Sequence, residues 1–308
     1  MKDRGVRRSP TVMLRVVSVS LGTTRRDFQE ELELPLGKVV VERVGCHGSF
    51  TRAAQVLSSL DGKVAALGLA GANLDYYIGD HRIPCPAGRR LASQVLKTPL
   101  VDGSGWKQAV EPLAVEVLQN QGITLAGKTA LVVSVLDRYW LAEALSRAGC
   151  KVLAGDPLFG LKLPLVLPLS LFARIARWTM PALSHLPLSF LYPLGPAQEK
   201  AGRTWNSFAR HVDIIAGNWH FIRRYLLPCL SKDKILITSG TNGEDLRFLK
   251  QQGIKWVVST TPLWKVGCPS ANAVEAALVA LGAGKGDLST YMSLAQELKW
   301  LPRLIEGY

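Results

Sequence analysis

Short runs of β-branched and apolar residues alternate with stretches of helical periodicity along the whole chain. That alternation confines it to folds in which largely parallel strands are joined by crossover helices. In the first half Leu14–Leu21 (LRVVSVSL) and Lys38–Val44 (KVVVERV) read as strands, and Thr51–Leu60 (TRAAQVLSSL) as a helix stopped by the turn pair Asp61-Gly62. Val64–Leu69 is expected as a strand, Tyr76–Ile83 as a small hairpin and Gly88–Lys97 as a helix. Leu100–Val101 then leads through DGSGWK (Asp102–Lys107) into a helix running to about Gln121. The second half opens with Thr129–Val135 (TALVVSV), a continuous apolar run suited to a strand buried on both faces. Further strands are expected at Lys151–Ala154, Val212–Ala216, Lys234–Thr238 and Lys255–Ser259. Helices fall at Leu141–Ala148, Glu244–Gln252, Asn272–Leu281 and Tyr291–Lys299. The pattern predicts an α/β protein of two α/β domains, the C-terminal one a Rossmann-like, doubly wound parallel sheet.

At roughly 100–200 residues per domain, 308 residues suggest two domains. The expected division is a basic flexible tail at 1–12, an N-terminal α/β substrate domain at 13–124 and a nucleotide-binding domain at 125–308, with the boundary near Gly122–Gly127. With 48% hydrophobic and 20% charged residues, the composition excludes a disordered chain. Cys46, Cys85, Cys150, Cys229 and Cys268 lie far apart without metal-ligand spacing, which points to a reduced, cytoplasmic protein and to no metal site. The net charge of +13 raises the question of nucleic acid. Its only dense cluster, however, is Lys2, Arg4, Arg7 and Arg8, and no arginine-rich helix, zinc-finger spacing or ribonucleoprotein motif follows. A basic surface that serves small anions is the expectation; a homodimer is left open.

The segment from Pro157 to Pro193 is strongly apolar, but prolines at 157, 164, 168, 181, 187 and 193 interrupt it, together with Lys162, Arg174 and Arg177. A spanning helix wants about 20 largely unbroken apolar residues, and proline breaks the helical ladder. Several short helices forming an apolar insertion at 157–193 are therefore expected, either packed on the domain, lining an apolar pocket or docking on a membrane surface.

In an open parallel sheet the ligand lies beyond the carboxyl ends of the strands, where the strand order switches. Asp156 ends the second strand of the second half and follows Ser134 by the interval of about 20 residues that a dinucleotide fold keeps. There its carboxylate would accept the adenosine ribose hydroxyls and repel a 2′-phosphate, which favours NAD over NADP; a plain Gly-Asp-Pro turn is the alternative. The glycine-rich phosphate loop is replaced by SVLDRYW (Ser134–Trp140), in which Asp137 either joins the cofactor site or caps a helix, and Arg138 could supply charge. Asn218, Ser239, Gly240, Thr260 and Thr261 stand at later strand ends and complete the expected cofactor-binding set. His220 is a candidate acid or base, since its ordinary pKa lies near neutrality, or a structural histidine among aromatics. In the first half, Lys107 and Asp102 place an amine and a carboxylate in one loop, a proton carrier or a solvated turn. Thr23, Arg25 and Arg26, directly after the first strand, suit a carboxylate or form an exposed basic turn.

These loops carry a resemblance. VVSVSLGTTRRD, VDGSGWK, VSVLDRYWLAEAL with AGD, IIAGNWHFIRRYL, and VVSTTP followed by ANAVEAALVAL resemble a bacterial family of quinate/shikimate 5-dehydrogenases, over most of residues 14–305. The resemblance implies NAD(P)-linked oxidation of a ring hydroxyl on a polyhydroxy carboxylate, with a substrate domain ahead of a nucleotide domain. It also implies a catalytic lysine and aspartate drawn from separate segments and a glycine-rich nucleotide loop. This chain offers Lys107 and Asp102 within one loop, and no such glycines. The expected arrangement is NAD along the strand ends and a small anionic substrate in the interdomain cleft, held by Arg25 or Arg26, with Lys107 taking the hydroxyl proton. The competing readings are a non-catalytic metabolite-binding protein and a membrane-surface enzyme with a lipid-like substrate, docked through 157–193.

Overall fold

The computed structural model describes residues 13–198 and 206–305; the basic tail expected at 1–12 lies outside them. The first sheet uses β1 (Met13–Ser20), β2 (Phe28–Leu34), β3 (Gly37–Gly45), β4 (Ala66–Ala70) and, beyond the hairpin β5 (Asp75–Ile78)–β6 (His81–Pro84), β7 (Leu100–Val101). Its order is β2-β3-β1-β4-β7. β1 pairs parallel with β3 and β4, and β7 parallel with β4, while β2 closes the edge antiparallel to β3. Helix α1 (Phe50–Leu60) starts where the Ser49 side chain accepts the Arg52 N–H. α2 (Pro86–Ala92) begins at a proline whose missing N–H costs nothing in the first helical turn. The long helix expected up to Gln121 is instead broken: Pro112 cannot donate to the ladder, so α3 (Ser104–Ala109) and α4 (Ala114–Asn120) flank a 3-10 turn at Glu111–Leu113.

The second sheet has seven strands rather than five, in the order β10-β9-β8-β11-β12-β14-β16. β8 (Thr129–Val132), β9 (Lys151–Ala154), β11 (Ile214–Asn218), β12 (Ile235–Ser239) and β14 (Trp256–Ser259) pair parallel. The two-residue strands β10 (Leu167–Pro168) and β16 (Arg303–Leu304) cap the edges antiparallel. The chain runs outward from β8 to β9 and then returns to β11 on the other side, which puts the switch in strand order between β8 and β11. This is a Rossmann-like, doubly wound sheet. Its connections are α5 (Tyr139–Arg147), α6 (Asp156–Phe159), α7 (Leu169–Leu183), α8 (Leu188–Leu191), α9 (Asn206–Ala209), α10 (Trp219–Tyr225) and α11 (Gly243–Gln251). A small ribbon, β13 (Thr241–Asn242) with β15 (Gly267–Cys268), folds over β12, and a capping box between Asn242 and Asp245 starts α11.

Two results depart from the expected layout. The last helices, α12 (Ala271–Ala280) and α13 (Leu288–Glu297), do not cover the second sheet. α12 lies across β1 and β4 of the first, with α13 behind it on α3. Gly68 of β4 permits this approach, since a Cβ there would meet Asn272 Nδ2 at 2.7 Å and the Asn272 carbonyl at 2.9 Å. In space, therefore, the first unit takes in part of the stretch expected to belong wholly to the nucleotide-binding domain. The 157–193 segment, for its part, is not cut into short pieces throughout. α7 runs for fifteen residues because Pro168 stands before its first turn and Pro181 within its last. Its inner face (Phe172, Ala176, Met180) packs on β5 and β6 of the first unit and on β9 and β10 of the second, so the insertion ties the units together. No described helix is long and apolar enough to cross a membrane.

Candidate functional site

Between the two units lies a cleft of about 390 Å3, within the usual size of small-molecule sites of about 300–1,000 Å3. The carboxyl ends of both sheets open into it: Ser20 of β1 and Ala70–Asn73 after β4 on one side, Ser134, Asn218 and Ser239–Asn242 on the other. Beside it, behind Tyr192, Ser134 and Phe221, sits a second and almost wholly apolar cavity of about 90 Å3, roofed by α7.

The floor of the cleft is a buried ion pair. Lys107 Nζ donates to Asp137 Oδ1 at 2.6 Å. Asn73 Nδ2 donates to the same oxygen at 2.9 Å, and Asn218 Nδ2 to Oδ2 at 2.8 Å. Each group comes from a different element: Lys107 from α3, Asp137 from the β8–α5 turn, Asn73 from the β4–β5 loop and Asn218 from the end of β11. Lys107 and Asp137 are only 7% and 8% exposed, yet both line the cleft. Burial would raise the Asp137 carboxyl, but the Lys107 charge and the three donors outweigh it and hold the group below the ordinary carboxylate range. At neutral pH Asp137 is thus a carboxylate, and the Lys107 amine that donates to it stands at the edge of a ligand-sized space. Gly103, at φ 91°, turns the chain from β7 into α3 against α12, where a Cβ would stand 2.7 Å from the Asn272 amide nitrogen. That turn sets the position of Lys107.

Several expected roles are corrected. Asp102 is not the partner of Lys107; its carboxylate accepts from the Leu74 amide and from the amide and hydroxyl of Ser104, and so locks the β4–β5 and β7–α3 turns together. His220 lines the cleft beside the Phe221 ring. Burial, followed by the positive charge of Arg26, pushes its pKa down to about 3, which leaves the imidazole neutral at physiological pH. Arg26 donates to the Gly240 carbonyl and to Asp245 Oδ2, each at 2.7 Å, and so staples the first unit to the second instead of standing ready for a ligand. Arg25 lines the cleft; Thr23 is buried away from it and gives its carbonyl to Arg43.

Several residues expected at a dinucleotide are instead engaged within the protein. Asp156, proposed for the ribose, turns its carboxylate onto the loop after β8. It accepts from the Val135 amide at 2.7 Å, the Leu136 amide at 3.1 Å and the Ser134 hydroxyl at 3.2 Å. Those amides belong to the turn that would face a pyrophosphate, so an internal carboxylate holds the place of the phosphate; burial raises its pKa to about 6. Arg138 is 1% exposed and in contact with Glu111, and it donates to Asn218 Oδ1 at 2.6 Å and Ser239 Oγ at 2.7 Å. Burial lowers the pKa of this guanidinium to about 9, so it stays charged at neutral pH. Thr260 and Thr261 are fully buried and bond within the protein, Thr260 through its carbonyl to the Trp106 indole and Thr261 through its hydroxyl to the Pro269 carbonyl. Of the cofactor set, Ser134, Asp137, Asn218, Ser239 and Gly240 remain on the cleft wall. Phe159, Leu161 and the inner face of α7 line the neighbouring apolar cavity.

Two cleft residues were not anticipated. Asn73 stands just beyond the carboxyl end of β4, so the strand-end rule, applied to the first half as well as the second, singles it out. Arg43 lines the cleft from β3, where it donates to the Thr23 carbonyl, Asp27 and Ser20 Oγ at 2.6–2.9 Å. Nothing in its strand pattern marks it, because it reads as an ordinary outward position.

The architecture is thus two α/β units with a polar, arginine-walled cleft between their strand ends. The chain belongs to the family described as "Domain of unknown function (DUF8754)", which matches residues 105–306, and a second domain of unknown function, DUF8753, matches residues 15–102. No curated protein matches it. Solved structures similar to it include the hetero-hexameric glutamate dehydrogenase from Thermus thermophilus in its Leu-bound form, at 13% identity over 94% of this chain and 74% of that one, with a TM-score of 0.44. L-tryptophan dehydrogenase from Nostoc punctiforme is 11% identical over 92% of this chain and 80% of that one, with a TM-score of 0.38. A phosphoglycerate oxidoreductase from Vibrio cholerae is 10% identical over 91% and 96%, with a TM-score of 0.33.

Proposed function

We propose that the protein is an enzyme acting at a hydroxyl or carbonyl oxygen of a small hydroxylated carboxylate, with Lys107 as the proton carrier and Asp137 as the group that holds it. One observation carries the reading: a lysine and an aspartate from separate segments, fixed at 2.6 Å by two asparagines, at the floor of a ligand-sized cleft. Arg25 and Arg43 on the opposite wall, with Arg26 behind them, supply the field that draws in an anion, and Asn73, Asn218, His220 and Ser239 offer neutral donors and acceptors for hydroxyls. Proton exchange at an alcohol or ketone oxygen is the acid–base half of an oxidoreductase reaction of the quinate/shikimate type, and a lysine–aspartate pair from separate segments is what that resemblance implies.

In such a reaction NAD or NADP supplies the hydride half. The residues at the ends of β8 and β9 do not fit the pyrophosphate and ribose of a dinucleotide, so Lys107 and its partners are given proton chemistry alone. Lys107 lends its proton to an oxygen that gains electron density and recovers one from an oxygen that loses it, while Asp137 stabilises the charged form.

The test pairs a binding and a turnover measurement. Tryptophan-to-dinucleotide fluorescence transfer is titrated with NADH and with NADPH, and turnover is assayed on hydroxylated ring carboxylates. A saturable response to either dinucleotide together with turnover supports the oxidoreductase. No dinucleotide response, with proton exchange at a substrate carbon or oxygen followed by deuterium incorporation, moves the assignment to isomerisation or dehydration. Binding of hydroxy acids with neither reaction would leave a metabolite-binding protein and remove the enzyme reading.

A further inference from the structure

From Pro157 to Gln198 the chain contains no Asp or Glu, while Lys162, Arg174 and Arg177 are fixed cations. The same segment holds most of the large apolar side chains left facing solvent: Leu163, Leu165, Leu171, Ile175, Phe190 and Trp178, the last 86% exposed. On α7 two apolar stripes run along opposite sides. Phe172, Ala176 and Met180 point inward, whereas Leu171, Ile175 and Trp178, with Arg174 among them, recur at the spacing of one helical face and point outward. Solvent-facing leucines scattered singly need no explanation, but a stripe of them with a tryptophan on one basic element does.

We propose that the 157–193 segment docks the protein on an anionic lipid bilayer, with α7 lying in the plane of the interface. Tryptophan and leucine beside arginine on one helix, in a segment without an acidic residue of its own, is the composition of an interfacial anchor, and the cations add attraction to anionic headgroups. A second copy is the poorer occupant. A two-fold interface would set this all-cationic face against itself and bring Arg174 and Arg177 close to their own equivalents. The segment lies on the bilayer and does not cross it. Fifteen helical residues reach about 22 Å at 1.5 Å per residue, short of a hydrocarbon core about 30 Å thick. Docking in this way also places the roof of the 90 Å3 apolar cavity against the lipid. The proposal does not depend on the chemistry assigned to Lys107.

The experiment is flotation of the full-length protein with extruded vesicles of phosphatidylcholine alone and of phosphatidylcholine with phosphatidylglycerol, at low and high salt. The expected result is binding to the anionic vesicles, weakened by salt. Trp178→Ser and the double variant Arg174→Glu/Arg177→Glu, all at exposed positions, should each lose roughly tenfold or more in partition coefficient. No binding to phosphatidylglycerol vesicles overturns the proposal. Binding that persists in both variants overturns it too, since the basic N-terminal residues would then be carrying it. A dimer seen by sedimentation velocity that Trp178→Ser dissolves would give this face to a second copy and overturn it as well.

Discussion

Lys107 and Asp137 show how far a residue's role depends on neighbours that the linear order hides. Asp102 is the closer carboxylate along the chain, but its oxygens are taken up by the Leu74 and Ser104 amides, and Asp137 reaches Lys107 from the other unit. Replacing Lys107 by Met is expected to lower turnover by roughly 10²–10⁴-fold while hydroxy-acid affinity changes little, as seen in kcat against KM. Retained kcat would dismiss Lys107 as the proton carrier. Beneath α3, Glu275 is buried with the Tyr291 hydroxyl on Oε1 and no partner on Oε2, and burial raises its pKa to about 7. A carboxyl whose folded pKa is raised binds its proton more tightly when folded, so its contribution to stability falls as pH climbs from about 4.5 through about 7 and stays low above that. His220 works in the opposite sense, because a neutral buried histidine gains stability as pH rises towards 6.5. The prediction is therefore framed as a difference. Glu275→Gln should be nearly neutral in urea unfolding at pH 4 and more stable than the parent by on the order of 2 kcal/mol at pH 8. A pH-independent difference would show that Glu275 does not titrate in this window.

Among the elements, the buried parallel strands β1, β8 and β12 could be read from their apolar runs because nothing else buries both faces of such a run. The edges could not. β2 reads FQEELEL, with glutamate at three of its seven positions, and pairs because β3 needs a neighbour; its Glu30 turns inward to accept the Lys265 and Val266 amides. β16 is two residues long and has no pattern to detect. α12 has apolar and small residues all round, which signals a buried helix but not which sheet buries it. The choice rests on close approach at Gly68. Gly68→Ala should push a Cβ into the Asn272 backbone and lower stability by about 1–3 kcal/mol, read as a drop in Tm. A melting curve that does not move would mean α12 has room to slide.

Taken whole, the molecule is two sheets that share helices. The core behind the first sheet is built from Val16, Val39 and Ala66 of the strands together with Val274, Ala277 and Leu278 of α12 and Tyr291 of α13, more than two hundred residues further along. A fragment covering residues 13–124 would leave that face bare. Purified alone, it is expected to lack a cooperative unfolding transition and dispersed amide resonances; a well-folded fragment would show that α12 is dispensable to the first unit. The local pattern was sufficient for the alternation of strand and helix, the parallel character of the sheets and the placing of a cleft at strand ends, because each follows from short-range periodicity and from the geometry of crossover connections. Pairing was not. Whether Asp156 faces a coenzyme or its own loop, whether Lys107 meets Asp102 or Asp137, and which sheet α12 covers all turn on contacts between residues distant in the chain. Such contacts are settled by packing and by the demand that every buried polar group find a partner, and neither is written in any local stretch of residues.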